Sequence, residues 1–159
     1  MGGSSDPDQG QETKTVPGRG AALRLELFID DLRASLDFYG RVLGFEKAPE
    51  RPGGYTPLAR GSVRIALNLR SDLPEGHPVE LAAHERPGRG VEIVLEVDDI
   101  EAMYQHVVSE QWPRSAELTP RPWGLTDFRV LDPDGYYWRV TSKRVDTGRA
   151  DEPSGTSVG

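Results

Sequence analysis

Two five-residue stretches, Phe28-Ile-Asp-Asp-Leu32 and Glu96-Val-Asp-Asp-Ile100, decide the fold of this 159-residue chain, because they repeat one pattern at two places. Each follows an alternating apolar segment, at residues 23–29 and 91–97, and begins a segment whose apolar residues recur at helical spacing. Aspartates at such a junction cap a helix, since their carboxylates accept hydrogen bonds from the first turn's free amides. The repeat therefore predicts two similar strand–helix modules.

Three strand-like segments follow each predicted helix, and turns rich in glycine and proline separate several of them. Gly44 is expected to end the first helix, where a positive φ is needed. The predicted strands are 45–51, 55–60 and 62–70 in the first half, and 114–119, 126–131 and 136–142 in the second. The sequence therefore predicts an α+β fold of two βαβββ modules, at about 22–70 and 91–142, joined by a linker at 71–90.

Both ends of the chain have a different composition from this domain of residues 21–143. Residues 1–20 and 144–159 are rich in Gly, Ser, Asp, Pro and Thr and contain few large apolar side chains. Such segments bury too little surface to offset the entropy of ordering. We therefore expect both ends to be disordered tails.

The composition also limits the classes of function. The net charge of −7 argues against broad nucleic-acid binding, which needs a basic face. It is compatible with a cationic ligand or with simple solubility. No apolar run reaches the length of about 18 residues that a transmembrane helix needs. The chain has no cysteine, which excludes disulfides and thiolate metal ligands and is compatible with the cytoplasm, where we expect the protein.

The pattern resembles the vicinal-oxygen-chelate superfamily of glyoxalases, bleomycin-resistance proteins, fosfomycin-resistance enzymes and extradiol dioxygenases. The resemblance lies in Leu27–Tyr39, Val42–Phe45, Val97–Ile100 and the Asp132-Pro-Asp-Gly135 turn. Pro122-Trp-Gly124, followed by Phe128, is most similar to the bleomycin-resistance branch. The resemblance implies curved mixed sheets that enclose a cup, with helices on the outer faces, and a homodimer with two grooves between its chains.

In the metalloenzymes of this superfamily, ligands occur at the start of a module's first strand and four residues after the glycine before its last strand. Those positions are Arg24 and Glu92 for the first strands, Arg139 in the second module, and a position near Ile65 in the first. Of these, only Glu92 can bind a metal. The histidines show no ligand-like spacing. We therefore predict no metal, no cofactor and no catalytic residue.

Strand alternation places a charged face toward the predicted cup. We expect Arg24, Glu92 and Arg139 to lie close together, either as a salt-bridge network that closes the sheet or in contact with a ligand. Trp123 and Tyr55 are expected at the rim, where they could stack on a planar ligand, although Trp123 also fits a hydrophobic plug or a dimer contact. The candidate ligand-binding residues are Trp123, Glu92, Arg24, Arg139, Glu26, Tyr55 and Asn68.

These features favour a metal-independent protein that binds a small molecule, such as a glycopeptide or a planar cationic compound, by sequestration of an antibiotic type. One alternative is a lyase, isomerase or dioxygenase-type enzyme of the same fold with a non-standard site, including a metal-free acid–base catalyst that uses Glu92. Another is an accessory module whose cup is purely structural.

Overall fold

A computed structural model describes residues 21–49 and 55–144. The predicted tails, apart from Arg144, and the predicted turn at 52–54 lie outside the described residues. The first module contains β1 (Leu25–Ile29), α1 (Leu32–Asp37), a π-helical segment (Phe38–Val42), β2 (Glu46–Lys47), β3 (Thr56–Arg60) and β4 (Val63–Leu69). A 3-10 turn (Arg70–Asp72) follows. The second module contains β5 (Ile93–Val97), α2 (Ile100–Ser109), β6 (Arg114–Pro120), β7 (Thr126–Leu131) and β8 (Tyr137–Ser142).

The strands form two four-stranded mixed sheets, with the orders β1-β4-β3-β2 and β5-β8-β7-β6. In each sheet the first strand pairs in parallel with the last strand of its module, and the other pairs are antiparallel. A parallel pair needs a crossover connection, and the helix of each module forms part of it. The predicted α+β fold with two βαβββ modules is therefore confirmed.

Both helices begin at the predicted aspartate pairs. The Asp31 carboxylate accepts hydrogen bonds from the amides of Arg33 and Ala34, at 2.8 and 3.1 Å. The Asp99 carboxylate accepts one from the Ala102 amide, at 2.9 Å. In both cases the second aspartate of the pair is the cap, so the repeat in the sequence corresponds to a repeat in local structure.

The end of the first helix differs from the simple α-helix that the sequence predicts. After Asp37 the chain widens into the π-helical segment, which ends before Gly44, where φ is +67°. The consecutive residues Phe38 and Tyr39 are both fully buried, whereas Leu36 is only half-buried. The wider turn thus brings two adjacent aromatic side chains into the core.

The helix-covered faces of the two sheets meet in one hydrophobic core that contains residues of both modules. The Tyr39 ring lies 5.7 Å from the Trp138 ring on β8, and the Phe38 ring lies 4.8 Å from that of Trp112, which follows α2. The helices lie on the side of each sheet opposite its polar face, as expected. The helix-covered face of each sheet is also packed against the other module, so it does not form an outer surface of the protein.

A polar network inside this core joins the modules. The Tyr39 hydroxyl donates to Asp132 Oδ2 at 2.7 Å and accepts from Trp138 Nε1 at 3.3 Å. Asp132 Oδ1 accepts from the amides of Asp134 and Tyr136, at 3.0 and 2.7 Å. Burial and the neighbouring Asp132 carboxylate raise the pKa of Tyr39 well above its ordinary value, so the hydroxyl remains a donor. The Asp132–Gly135 turn is therefore a joint between modules as well as a hairpin turn.

Two further contacts of this turn lie nearer the surface. Asp134 accepts from the Asp30 amide at 2.7 Å, and the Tyr136 hydroxyl accepts from the Phe28 amide at 3.0 Å. Gly135 has a φ of +96°, a conformation that favours glycine. The turn thus also fixes the end of β1.

We expect Tyr39→Phe to lower the free energy of unfolding by about 1–3 kcal/mol, because it leaves a buried carboxylate oxygen without its donor. Urea unfolding measures this. Tyr137→Phe is the matched control, since the Tyr137 hydroxyl makes no hydrogen bond among the described residues, and we expect it to change stability by less than about 0.5 kcal/mol. Equal effects of the two variants would contradict the role of the Tyr39 hydroxyl.

Asp132 gives a second prediction, for the pH dependence of stability. Burial raises the pKa of its carboxyl, and the hydrogen bond from Tyr39 opposes that shift only in part. A carboxyl whose pKa is higher in the folded than in the unfolded state binds its proton more tightly when folded, so its contribution to stability falls as pH rises between the two values. The wild-type free energy of unfolding minus that of Asp132→Asn should therefore decrease from about pH 4 upward and then level off. A difference that increases over this range would contradict the assignment.

Candidate functional site

Each sheet has a polar face on the side opposite the shared core. The first polar face is formed by alternate residues of β1, β3 and β4, whose neighbours in sequence are buried or half-buried: Glu26, Phe28, Pro57, Ala59, Arg64, Ala66 and Asn68. The second polar face is formed in the same way by β5, β7 and β8: Val94, Glu96, Asp127, Arg129, Leu131, Tyr137, Arg139 and Thr141. Arg24 and Glu92 extend the two faces just before β1 and β5.

On the first polar face, Arg24 forms an ion pair with Glu26. Its guanidinium also lies 3.5 Å from the Tyr55 hydroxyl and 5.0 Å from the centre of the Tyr55 ring. Arg24 and Tyr55 line a depression of about 630 Å³ together with Pro57 and Arg64. The sequence-predicted residues Arg24, Glu26 and Tyr55 therefore form one cluster.

On the second polar face, five side chains form a continuous chain of alternating charges. Asp127 Oδ1 accepts from Arg121 Nε at 2.8 Å and from Arg129 at 2.5 Å. Glu92 then lies between two arginines, with its oxygens 3.4 Å from Arg129 Nε and 3.6 Å from Arg139 Nε. The side chain of Asp127 is 0% exposed. A carboxylate buried to this degree needs such cationic partners.

The pairing on both faces is incomplete. Among the described residues, three buried side-chain polar atoms have no hydrogen-bond partner: Asn68 Nδ2, Asp127 Oδ2 and Arg139 Nε. All three residues belong to the polar faces. An unsatisfied buried polar group costs about 1–3 kcal/mol, so its presence needs an explanation. Asn68 and Arg139 are both residues that the sequence predicted as ligand-binding.

The expected trio of Arg24, Glu92 and Arg139 is correct only for its last two members. Arg24 pairs with Glu26 and Tyr55, and no ion pair joins it to Glu92 in the part of the chain that the structure describes. The physical reason is that the two polar faces belong to different sheets. Each sheet packs its apolar face against the common core, so the two polar faces do not meet within one chain.

Trp123 also lies apart from this cluster of charges. It is 54% exposed, in the turn between β6 and β7, and lines a depression with Lys143 and Arg144. Trp112, in contrast, is an anchor: its indole N–H donates to the Leu131 carbonyl at 2.9 Å.

The residues at the superfamily's metal positions do not fit a divalent ion. Ile65, which counting from Gly61 places at one of them, is buried in the core. Strand pairing gives the correct equivalent: Val94 pairs with Arg139, and the equivalent residue Glu26 pairs with Ala66. The four positions are therefore Arg24, Ala66, Glu92 and Arg139, and only Glu92 carries an oxygen or nitrogen ligand that a metal accepts. No group of three or more candidate metal-binding side chains occurs within 21–49 and 55–144.

Sequence reasoning missed Arg121, Asp127 and Arg129. The signal for two of them was present, because Asp127 and Arg129 alternate with the buried residues Phe128 and Val130. The strand is paired on both sides, by β6 and β8. Charged residues on an inner strand need partners, which marks this face as more than a solvated surface.

The comparison with known families agrees with this geometry. The family model for the Glyoxalase/Bleomycin resistance protein/Dioxygenase superfamily matches residues 22–140. The chain belongs to this superfamily. An uncharacterized protein of Mycobacterium tuberculosis is 26% identical over 123 residues, which cover 75% of this chain and 72% of that protein. An uncharacterized protein of Mycobacterium bovis has the same identity, over 81% of its length.

Three solved structures share the fold. A superfamily member from Nocardioides is 24% identical with a TM-score of 0.66, covering 89% of this chain and 94% of that one. TioX from Micromonospora sp. ML1 is 20% identical with a TM-score of 0.63, covering 77% and 98%. A lactoylglutathione lyase from Agrobacterium tumefaciens is 21% identical with a TM-score of 0.59, covering 80% and 96%.

Neither α1 nor α2, nor any other helix in the described part of the chain, has the length and apolar character of a membrane-spanning helix.

The charge chain gives a prediction for stability. Asp127→Asn should lower the free energy of unfolding by about 3 kcal/mol, because it leaves two largely buried guanidinium groups without their shared carboxylate. Asp37→Asn is the matched control, since Asp37 pairs with Arg41 on an exposed helix surface; we expect its unfolding midpoint to be unchanged. Equal midpoints for Asp127→Asn and the wild type would show that the buried network contributes nothing to stability.

Proposed function

We propose that this protein binds a small molecule without a metal and acts by sequestration, in the manner of the bleomycin-resistance branch of its superfamily. The observation that carries the proposal is that the buried polar atoms without partners lie on the two polar faces. A bound ligand can supply those partners, whereas a purely structural network would satisfy its own groups.

The proposal includes a homodimer in which a second copy completes each site. Each polar face lies on the side of its sheet away from the shared core, and in the proposed dimer the first polar face of one copy meets the second polar face of the other. Such an arrangement would bring Arg24, Glu26, Tyr55 and Asn68 near Glu92 and Arg139. Trp123, which is exposed, then provides a flat ring for ligand or partner contact.

The proposed ligand is a glycopeptide or a planar compound, and the proposed location is the cytoplasm. Recognition would combine stacking on Tyr55 or Trp123, at about 0.5–1.5 kcal/mol for an aromatic pair, with hydrogen bonds to the charged side chains. Bond making and breaking are not required for this function.

An enzyme of the same fold, with Glu92 as an acid–base group, is the second candidate. It is favoured by the position of Glu92, which lies beside a depression of about 470 Å³ that is also lined by Arg86 and Tyr137. Turnover of a bound compound separates the two functions, because sequestration returns the ligand unchanged.

The test is a thermal-shift screen of the full chain with bleomycin and a panel of planar small molecules, followed by calorimetry on each compound that raises Tm. A ligand that binds only the folded state stabilises it by about 2.7 kcal/mol at a hundred times its Kd. Replacing Glu92 by Ala should change the Kd of the ligand while the chain remains folded. Elemental analysis should find no stoichiometric divalent metal. The absence of any stabilising compound, or a bound metal that is required for binding, would refute the proposal.

A further inference from the structure

The chain of alternating charges on the second polar face begins and ends with an arginine. Arg121, Arg129 and Arg139 share the two carboxylates of Asp127 and Glu92. The chain therefore carries one excess positive charge. Glu96 lies on the same face but forms no ion pair with these arginines in the described residues, so it does not complete the series.

Of the three arginines, Arg139 has the weakest contacts with the carboxylates of this chain of charges. Its Nε is buried and has no hydrogen-bond partner, and its one ionic contact, with Glu92, is 3.6 Å long. No acceptor within the described part of the chain takes a hydrogen bond from any nitrogen of this guanidinium, which has five N–H donors. The side chain is only 26% exposed, so solvent reaches it incompletely. A partly buried cation in this state is strongly attracted to an oxyanion.

The neighbours of Arg139 indicate the rest of the ligand. In the sheet, Arg139 lies between Arg129 of β7 on one side and Val94 of β5 on the other, and Val94 is an apolar residue that is 41% exposed. Tyr137, two residues earlier on the same face, is half-buried. The surface around the two arginines thus offers apolar and aromatic contact to an adjoining group.

We propose that Arg139, assisted by Arg129, binds a carboxylate group of the ligand, whose planar or apolar body lies against Val94 and Tyr137. The planar fork of a guanidinium matches a carboxylate with two parallel hydrogen bonds, and the single excess charge matches a monoanion. This inference rests on the proposed function, because it assigns a chemical class to the ligand of the same site. It replaces the cationic ligand that the net charge suggested.

Three probes with one ring system and different charges test the inference: naphthoate, naphthamide and naphthylmethylamine. Each is titrated into the full chain in a buffer free of carboxylate and phosphate, with Tm and calorimetric Kd as readouts. We expect naphthoate to bind most tightly, and Arg139→Gln to weaken its binding about 10- to 100-fold, the loss expected for one charge-assisted contact. Arg139→Lys should retain part of the affinity, since it keeps the charge but not the fork.

Two further variants control for indirect effects. Glu92→Gln should tighten naphthoate binding, because it removes the carboxylate that competes for Arg139 and Arg129. Arg33→Gln removes an exposed arginine from α1 and should leave the Kd unchanged. Because Glu92→Gln and Arg139→Gln are expected to act in opposite directions, a general loss of folding cannot produce both results.

The outcomes separate this inference from the proposed function. Tighter binding of the amine or the amide than of naphthoate, or naphthoate binding that is equal in Arg139→Gln and wild type, would overturn the carboxylate site while small-molecule binding remained. Weaker naphthoate binding by a folded Glu92→Gln variant would also overturn it. If bleomycin, the planar panel and all three probes fail to bind, the proposed function itself falls.

Discussion

The hydroxyl group of Tyr39 determines how the two modules meet, because it lies in the core between a carboxylate of one turn and an indole of one strand. It donates to Asp132 and accepts from Trp138, so all three buried polar groups are satisfied together. If one module moved relative to the other, at least one of these three polar groups would remain buried without a hydrogen-bond partner, which is costly. Apolar packing around the Tyr39 ring makes the modules cohere, and this network makes their arrangement specific.

The position of the polar faces follows from that arrangement. Each sheet has one apolar face, and the shared core covers both of them. Charged residues on the alternate positions must therefore lie on the far side of each sheet, where Asp127 is nevertheless fully buried by its own neighbours. The fold thus holds a row of charges in place on a surface that the chain itself leaves partly open. A groove needs a second surface over each face, which is why the proposed site involves two copies.

Much of this fold could be predicted from local patterns, and the errors arose where local patterns give no information. Alternation and the Asp-Asp pairs predicted the strands, the helix starts and which side of β1, β5 and β8 is polar. Counting from Gly61 gave Ile65, whereas strand pairing gives Ala66, because an equivalent position in a sheet is defined by its neighbour across the ladder. Arg24 was expected beside Glu92, and this was wrong. Alternation shows which face of its own sheet a residue occupies, but it does not show which face of the other sheet lies opposite. For Arg129, alternation with Phe128 and Val130 gave its face, but its partner Glu92 lies on β5's extension, far away in sequence, and only strand pairing brings the two together.

The charge of the whole chain and the charge of the second polar face point to different ligands, and the local charge is the better guide. Of the net −7, residues 1–20 and 145–159 contribute −3, since they contain six acidic and three basic residues. Charges in water are screened over a Debye length of about 8 Å at physiological salt, so any acid farther than this from a ligand acts mainly on its diffusional approach. A ligand in contact with Arg139 instead meets two guanidinium groups that are partly removed from solvent, where electrostatic interactions are stronger. Net acidity therefore affects how the protein behaves in solution, while the proposed carboxylate site depends on the incomplete pairing of Arg139.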